Sequence, residues 1–153
     1  MSKFKDILKS AGLSNLKLSL PFLEMELTLN QADRDAAWEL YIELSTRCAT
    51  QSVDESSQDN REAITSLYTL FPITREILKK YKCDCINFSK IAIPVLNQVL
   101  RPFVSKWHKF DMEHRNDVSC DWGNFREELE AIQKTMKDYT KLLCELARVE
   151  DLS

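Results

Sequence analysis

Nine apolar residues near the C-terminus, Val118, Trp122, Phe125, Leu129, Ile132, Met136, Tyr139, Leu143 and Leu146, step by 4, 3, 4, 3, 4, 3, 4 and 3 positions. Only an α-helix brings such a series onto one face, and a strict alternation of four and three is the seam of a left-handed helix pair or bundle. The spacing predicts a helix from about Asp121 to about Val149, about 43 Å long at 1.5 Å per residue. Arg126, Glu127, Glu130, Lys134, Lys137, Asp138 and Lys141 cover its outer face, and Glu130–Lys134 has the favourable i, i+4 order. A seam of that length needs other helices to cover it. The chain has 153 residues with only two Gly and four Pro, so turns are few and helices long. We therefore expect a mainly α fold, an antiparallel bundle of four to five helices in which residues 1–153 form a single domain.

The rest of the chain supplies those helices. Ser2 can cap a short one with Phe4, Ile7, Leu8 and Ala11 on one face, ended by Gly12 in the left-handed region and followed by Leu13. Asn30 reads as the cap of a helix to about Ala49, with Asp33 in its first turn and Ala37, Leu40, Tyr41, Leu44 and Cys48 inward. Trp38, Ile42 and Ala49 widen that stripe. Residues Gln51 to Asn60 form a polar, Ser-rich loop, and Asp59 with Glu62 has capping-box spacing for a helix burying Ile64, Leu67, Tyr68 and Phe71. Pro72 forces that helix to kink or restart. Beyond Cys83-Asp84-Cys85, a helix starting at Asn87 or Ser89 carries Phe88, Ile91, Ala92, Val95, Val99, Phe103 and Trp107 inward. Pro94 and Pro102 should bend or break it without ending the helical path. Phe110 to Ser119 reads as a second polar connection.

One segment departs from helical periodicity. Leu16, Leu18 and Leu20 alternate with Lys17 and Ser19, and after Pro21-Phe22, Leu23, Met25, Leu27 and Leu29 alternate with Glu24, Glu26 and Thr28. Period two is the pattern of a strand. The two runs suggest a small β-hairpin or an extended arm over residues 16–29, and an arm with a free edge is a place for a second copy to pair. Leu18, Leu20, Leu23, Met25 and Leu27 are the self-association candidates, and a second copy in a homodimer is one of the protein partners they could take.

Charge and composition narrow the functional classes. The formal net charge is −3, and lysines and arginines are spread along the chain, which disfavours nucleic acid as a partner. No run approaches the roughly 18 apolar residues of a membrane span. Five cysteines, Cys48, Cys83, Cys85, Cys120 and Cys144, lack the pattern of a disulfide framework, and the N-terminus lacks an apolar leader. We expect a cytoplasmic chain with reduced thiols.

Motifs of chemistry are sparse. Cys83, Cys85, His108, His114 and Cys120 are the residue types zinc takes, but their spacing fits no closed tetrahedral site, so no metal and no cofactor is assigned. No Glu-x-x-His occurs, and two glycines cannot build a phosphate loop. No catalytic residue is assigned either. The single basic and aromatic cluster is Arg101, Phe103, Lys106, Trp107, His108 and Lys109. Such a set can anchor a protein partner or hold an anion. The chain thus reads as a non-enzymatic interaction module: an adaptor, regulator or accessory subunit acting through protein–protein contacts. One alternative is a small helical enzyme or ligand-binding bundle using Arg101, Lys106 and His108 on an anionic or phosphate-bearing substrate. Another is a membrane-associated helical effector.

Overall fold

A computed structural model describes residues 2–46, 57–117 and 120–148. Cys48, Ala49, Val118 and most of the Ser-rich loop lie outside the described residues. Eight α-helices are described: α1 (Phe4–Ser10), α2 (Leu20–Leu23), α3 (Gln31–Ser45), α4 (Ser57–Tyr68), α5 (Leu70–Tyr81), α6 (Ile86–Pro94), α7 (Arg101–Glu113) and α8 (Phe125–Ala147). A 3-10 turn, Lys82–Cys85, joins α5 to α6, and a π-helical stretch, Val95–Leu100, joins α6 to α7. The architecture is the expected mainly α bundle. No helix among the described residues is long and apolar enough to cross a membrane.

The long C-terminal helix is the spine. Phe125, Leu129, Met136, Tyr139, Leu143 and Leu146 are all buried along its seam, with α3 packed against it. It starts four residues later than the periodicity suggests. Gly123 sits at φ +56° and donates its N–H to Asp121 Oδ1, so the chain turns there, and Trp122 enters the core from the turn. Gln133, Thr140, Leu142 and Cys144 are buried as well, so α8 is covered on more than its heptad face. Among the described seam residues Ile132 is the exception: it is only half-buried.

Helix α3 begins as its sequence implies. Asn30 Oδ1 accepts from Asp33 N at 2.8 Å, and Asp33 Oδ2 accepts from Asn30 N at 3.0 Å, a reciprocal capping box. The other Asp33 oxygen, Oδ1, accepts from Phe88 N in the first turn of α6 at 2.8 Å. One carboxylate, 1% exposed, therefore caps two helices 55 residues apart. Neither Asn87 nor Ser89 starts α6; it begins at Ile86, and the residue before it, Cys85, offers no side-chain cap of its own. Asn30 Nδ2 to Asp84 O (2.8 Å) and Asn87 Nδ2 to Thr28 O (2.6 Å) complete the lock.

At the N-terminus, Gly12 at φ +74° ends α1, with Leu13 N bonded to Leu8 O and Gly12 N to Lys9 O, the two bonds of a Schellman cap. Ser2 is not the cap; it lies in a two-residue strand, β1 (Ser2–Lys3), and Lys3 precedes the helix. The alternating runs do not pair with each other as a hairpin. Pro21 lies in the first turn of α2, where its missing N–H costs nothing, so the chain coils between the runs instead of reversing. The second run sends Glu26–Leu27 (β2) antiparallel to β1, pairing Ser2 with Leu27 and Lys3 with Glu26. The segment is thus an arm over the helices: Leu16 and Leu27 are buried, and Leu18, Leu23 and Leu29 pack against the core.

Three further expectations are corrected. Asp59 is not a cap, because the backbone is helical from Ser57. Trp38 and Ile42 are not core residues of α3 but are 37% and 40% exposed on its outer side. Phe110 to Glu113 belong to α7 rather than to a connection. The prolines act as expected. The break before Pro72 falls at Thr69, which places the proline in the first turn of α5. Removing the shared cap tests the central joint. Asp33→Ala leaves the Asn30 N–H and the buried Phe88 N–H, one at each helix start, without their carboxylate acceptor and should lower unfolding free energy by about 3 kcal/mol, read as a lower urea midpoint.

Candidate functional site

The basic and aromatic cluster is contiguous in sequence, but α7 distributes it around a cylinder. At about 100° per residue, Arg101, Ser105, His108 and Met112 fall on one stripe, while Lys106 lies about 140° away from Arg101. Burial follows this geometry. Phe103 and Trp107 are core residues at 6% and 4% exposure, and Arg101, Lys106, His108 and Lys109 are exposed.

Phe103 and Trp107 hold α7 on α8. Trp107 packs on Phe125 (ring centroids 5.0 Å apart), Trp122 (6.1 Å) and Phe110 (5.2 Å), and Phe103 lies 5.6 Å from Phe125. His114 stacks on Phe110 at 4.2 Å and sets its Nδ1 against Phe110 O, so it closes this aromatic cluster. Trp107 Nε1 donates to Glu128 Oε2, and Lys106 Nζ donates to the same carboxylate at 2.7 and 3.0 Å. Hydrogen bonds from Lys106 and then Trp107 hold the Glu128 carboxyl below its ordinary range. Lys106 is thus engaged with α8.

Arg101 and His108 turn to the other side, toward α4 and α5. The Arg101 guanidinium lies over the Phe71 ring at 4.7 Å, and its Nε donates to Asn97 Oδ1 at 3.2 Å. Phe71 lies 6.0 Å from Tyr68, and Tyr68 stacks on His108 at 6.0 Å. A continuous ladder, Arg101–Phe71–Tyr68–His108, runs across three helices. Only Phe71 in it is buried; Tyr68 is 55% exposed, as is Met112 one turn beyond His108. Arg75, one turn beyond Phe71 on α5, is exposed at the same side of that helix.

Tyr68 was not legible as a surface residue, and Met112 read as part of a polar connection, not as a position on a helix face. The spacing of Ile64, Leu67, Tyr68 and Phe71 places Tyr68 inward on an uninterrupted helix. The break at Thr69 starts a new helix, and Tyr68, the last residue of α4, is left outside.

The ladder is held in place from beneath. Asp111 on α7, 5% exposed, accepts from Arg61 Nε of α4 and from Arg115 at 3.2 Å, so α4 is pinned to α7 beside the Tyr68–His108 pair. Burial pushes the Asp111 carboxyl up, but hydrogen bonds from Arg61 and Arg115 outweigh it, and the net displacement is downward. A carboxyl whose folded value is depressed contributes its full stabilisation above the unfolded value, about 3.9, and loses it as pH falls through the folded value. Asp111→Asn should therefore cost about 2 kcal/mol at neutral pH. It should also flatten the loss of stability below about pH 4; urea melts across pH 2–7 measure both.

The other candidates do not gather. Of the arm residues, Leu27 is consumed by the core, Leu18, Leu23 and Met25 are half-buried, and Leu20 stands 69% exposed. Among the described residues no three His, Cys, Asp or Glu side chains come together as a metal site. Cys83 is exposed, Cys120 half-buried, and Cys144 and Cys85 buried. Burial, and then the nearby Asp33 carboxylate, push the Cys85 thiol upward, away from the reactive thiolate.

Comparison with known protein families, curated proteins and solved structures finds no match.

Proposed function

We propose that this chain is a non-enzymatic interaction module, an adaptor or accessory subunit, and that the Arg101–Phe71–Tyr68–His108 ladder with Met112 is its partner-binding face. The observation that carries this reading is the exposure of Tyr68 and Met112, each 55%, beside a guanidinium already stacked on an aromatic ring. Tyr, Met and Arg are the residue types enriched in protein interfaces, because they offer broad contact area with few or preorganised torsions. Arg75, Arg101 and Lys109 make the surroundings cationic, so the fitting partner segment is acidic with an apolar anchor.

The divergence of Lys106 from Arg101 and His108 favours this reading over an enzyme acting on an anionic substrate, which needs the three converged. The membrane-effector reading has less support. Lys3 and Lys5 in the N-terminal segment are both engaged by Glu24, at 3.1 and 2.9 Å. Affinity capture from the native host, read by mass spectrometry, tests the face. Wild type should retain a reproducible partner that the Tyr68→Ala/Arg101→Glu variant loses by at least about tenfold, with unchanged circular dichroism. Equal retention by both would remove this surface from consideration.

Self-association is the second element of the reading, and Leu20 carries it. Helix α2 lies against α6, and Ile86 and Ile93 of α6, 51% and 46% exposed, add to the uncovered apolar side chains of these two neighbouring helices. Sedimentation velocity should show a concentration-dependent dimer that Leu20→Asp abolishes; a wild-type monomer at millimolar concentration would count against it.

A further inference from the structure

The π stretch between the two prolines opens a furrow on the side of α7 opposite the ladder. Pro94 and Pro102 each lack the N–H that would close an α-helical turn, and between them Arg101 N bonds to Leu96 O, five residues back. Side chains then reach the core at a spacing of five: Val95 and Leu100 are buried, whereas Leu96 and Val99 are left half-out. On the facing helix, Ile132 is the one described seam residue of α8 that is not buried. The two irregularities meet. A depression of about 440 Å³ and a second of about 320 Å³ share Gln98, Val99, Ala131 and Ile132, so they are one continuous furrow. Along α8 it runs from Glu128 to Asp138, about 15 Å at 1.5 Å per residue.

Its two ends differ. At one, Pro102 and Phe103 line an apolar stretch closed by Lys106, whose charge is taken up by Glu128. At the other, Lys17 and Lys134 line the wall, and neither forms an ion pair with any described residue. Asp138 also lines that end, so the two lysines leave a net positive charge. A floor of Val99, Ala131 and Ile132 thus leads to a cationic mouth.

We propose that this furrow binds an amphipathic anion, an unbranched aliphatic carboxylate, with its tail on Val99, Ala131 and Ile132 and its head between Lys17 and Lys134. The volume lies in the range of small-molecule sites. A helical peptide, about 10 Å across, does not enter between α7 and α8, which are held together by Phe103–Phe125 packing and the Trp107–Glu128 hydrogen bond. An extended peptide would set most of its backbone N–H and C=O groups over Val99, Ala131 and Ile132, side chains with no polar atoms, and would meet neutral polar side chains only at Asn15, Gln98 and Thr135, whereas an alkyl chain asks for none.

Calorimetric titration of the full chain with decanoate, decanol and decylammonium, below their aggregation concentrations, tests this. Decanoate should bind at least about tenfold tighter than decanol, and decylammonium not at all. Lys17→Glu/Lys134→Glu should remove the preference for decanoate while decanol binding persists. Ala131→Trp, at an exposed position where a large side chain fills the furrow without entering the core, should abolish binding of both, with an unchanged thermal unfolding curve. Absence of decanoate binding, equal affinity for decanoate and decanol, or undiminished binding by Ala131→Trp would each overturn the proposal. Retained capture of a protein partner by Ala131→Trp keeps this outcome separate from that of the ladder.

Discussion

The fold turns on one buried carboxylate. Asp33 closes its own helix's capping box and at the same time accepts the Phe88 N–H that opens α6. Capping normally acts within four residues of chain, and its effect is local. Here the same oxygens fix the relative position of two helix starts, because both bonds must be made at once by one side chain whose exposure is 1%. The direction of α6, and through the continuous helical path that of α7, is thereby referred to α3. Helix α3 in turn lies on α8. Where Phe103, Trp107 and Arg101 end up is a consequence of where Asp33 sits.

This explains which features were legible in the sequence. Periodicity is a local property of one helix, so the bundle, the α8 seam, the Asn30 cap, the Gly12 terminus and the proline-tolerant helical path could all be read from spacing. The second role of Asp33 could not, since nothing in the chain near Phe88 marks a carboxylate arriving from residue 33. The same holds for Asp111. It falls among residues that read as a polar connection, and only its proximity to Arg61, fifty residues earlier, makes it a buried anchor.

The arm before Asn30 shows a different limit. Alternation is a necessary feature of a strand with one buried face, but it does not name the partner. Leu16 and Leu27 are buried as alternation implies, yet the partner of Glu26–Leu27 is Ser2–Lys3 and not the preceding run. A proline in the first turn of α2 supplies the reason, because a coil at residues 20–23 cannot also be the reversal of a hairpin. The exposed Leu20 is what remains of the expected apolar edge.

The basic and aromatic cluster lies within one helix, α7, but not on one face of it. Reading Arg101 to Lys109 as one surface treats the chain as a line. Wound into α7, the segment has a core side, Phe103 and Trp107, and two solvent sides about 140° apart. The Tyr68–His108 ladder occupies one and the furrow beside Lys106 the other. Between them stands Trp107, packed on three aromatic rings and hydrogen-bonded to Glu128. A close-packed core of this kind deforms little and transmits displacement instead of absorbing it. Bulk added at the furrow therefore reaches the ladder only by moving Trp107 or Phe103. Both are braced by Phe125 at the first turn of the long helix, so one aromatic ring positions the two faces.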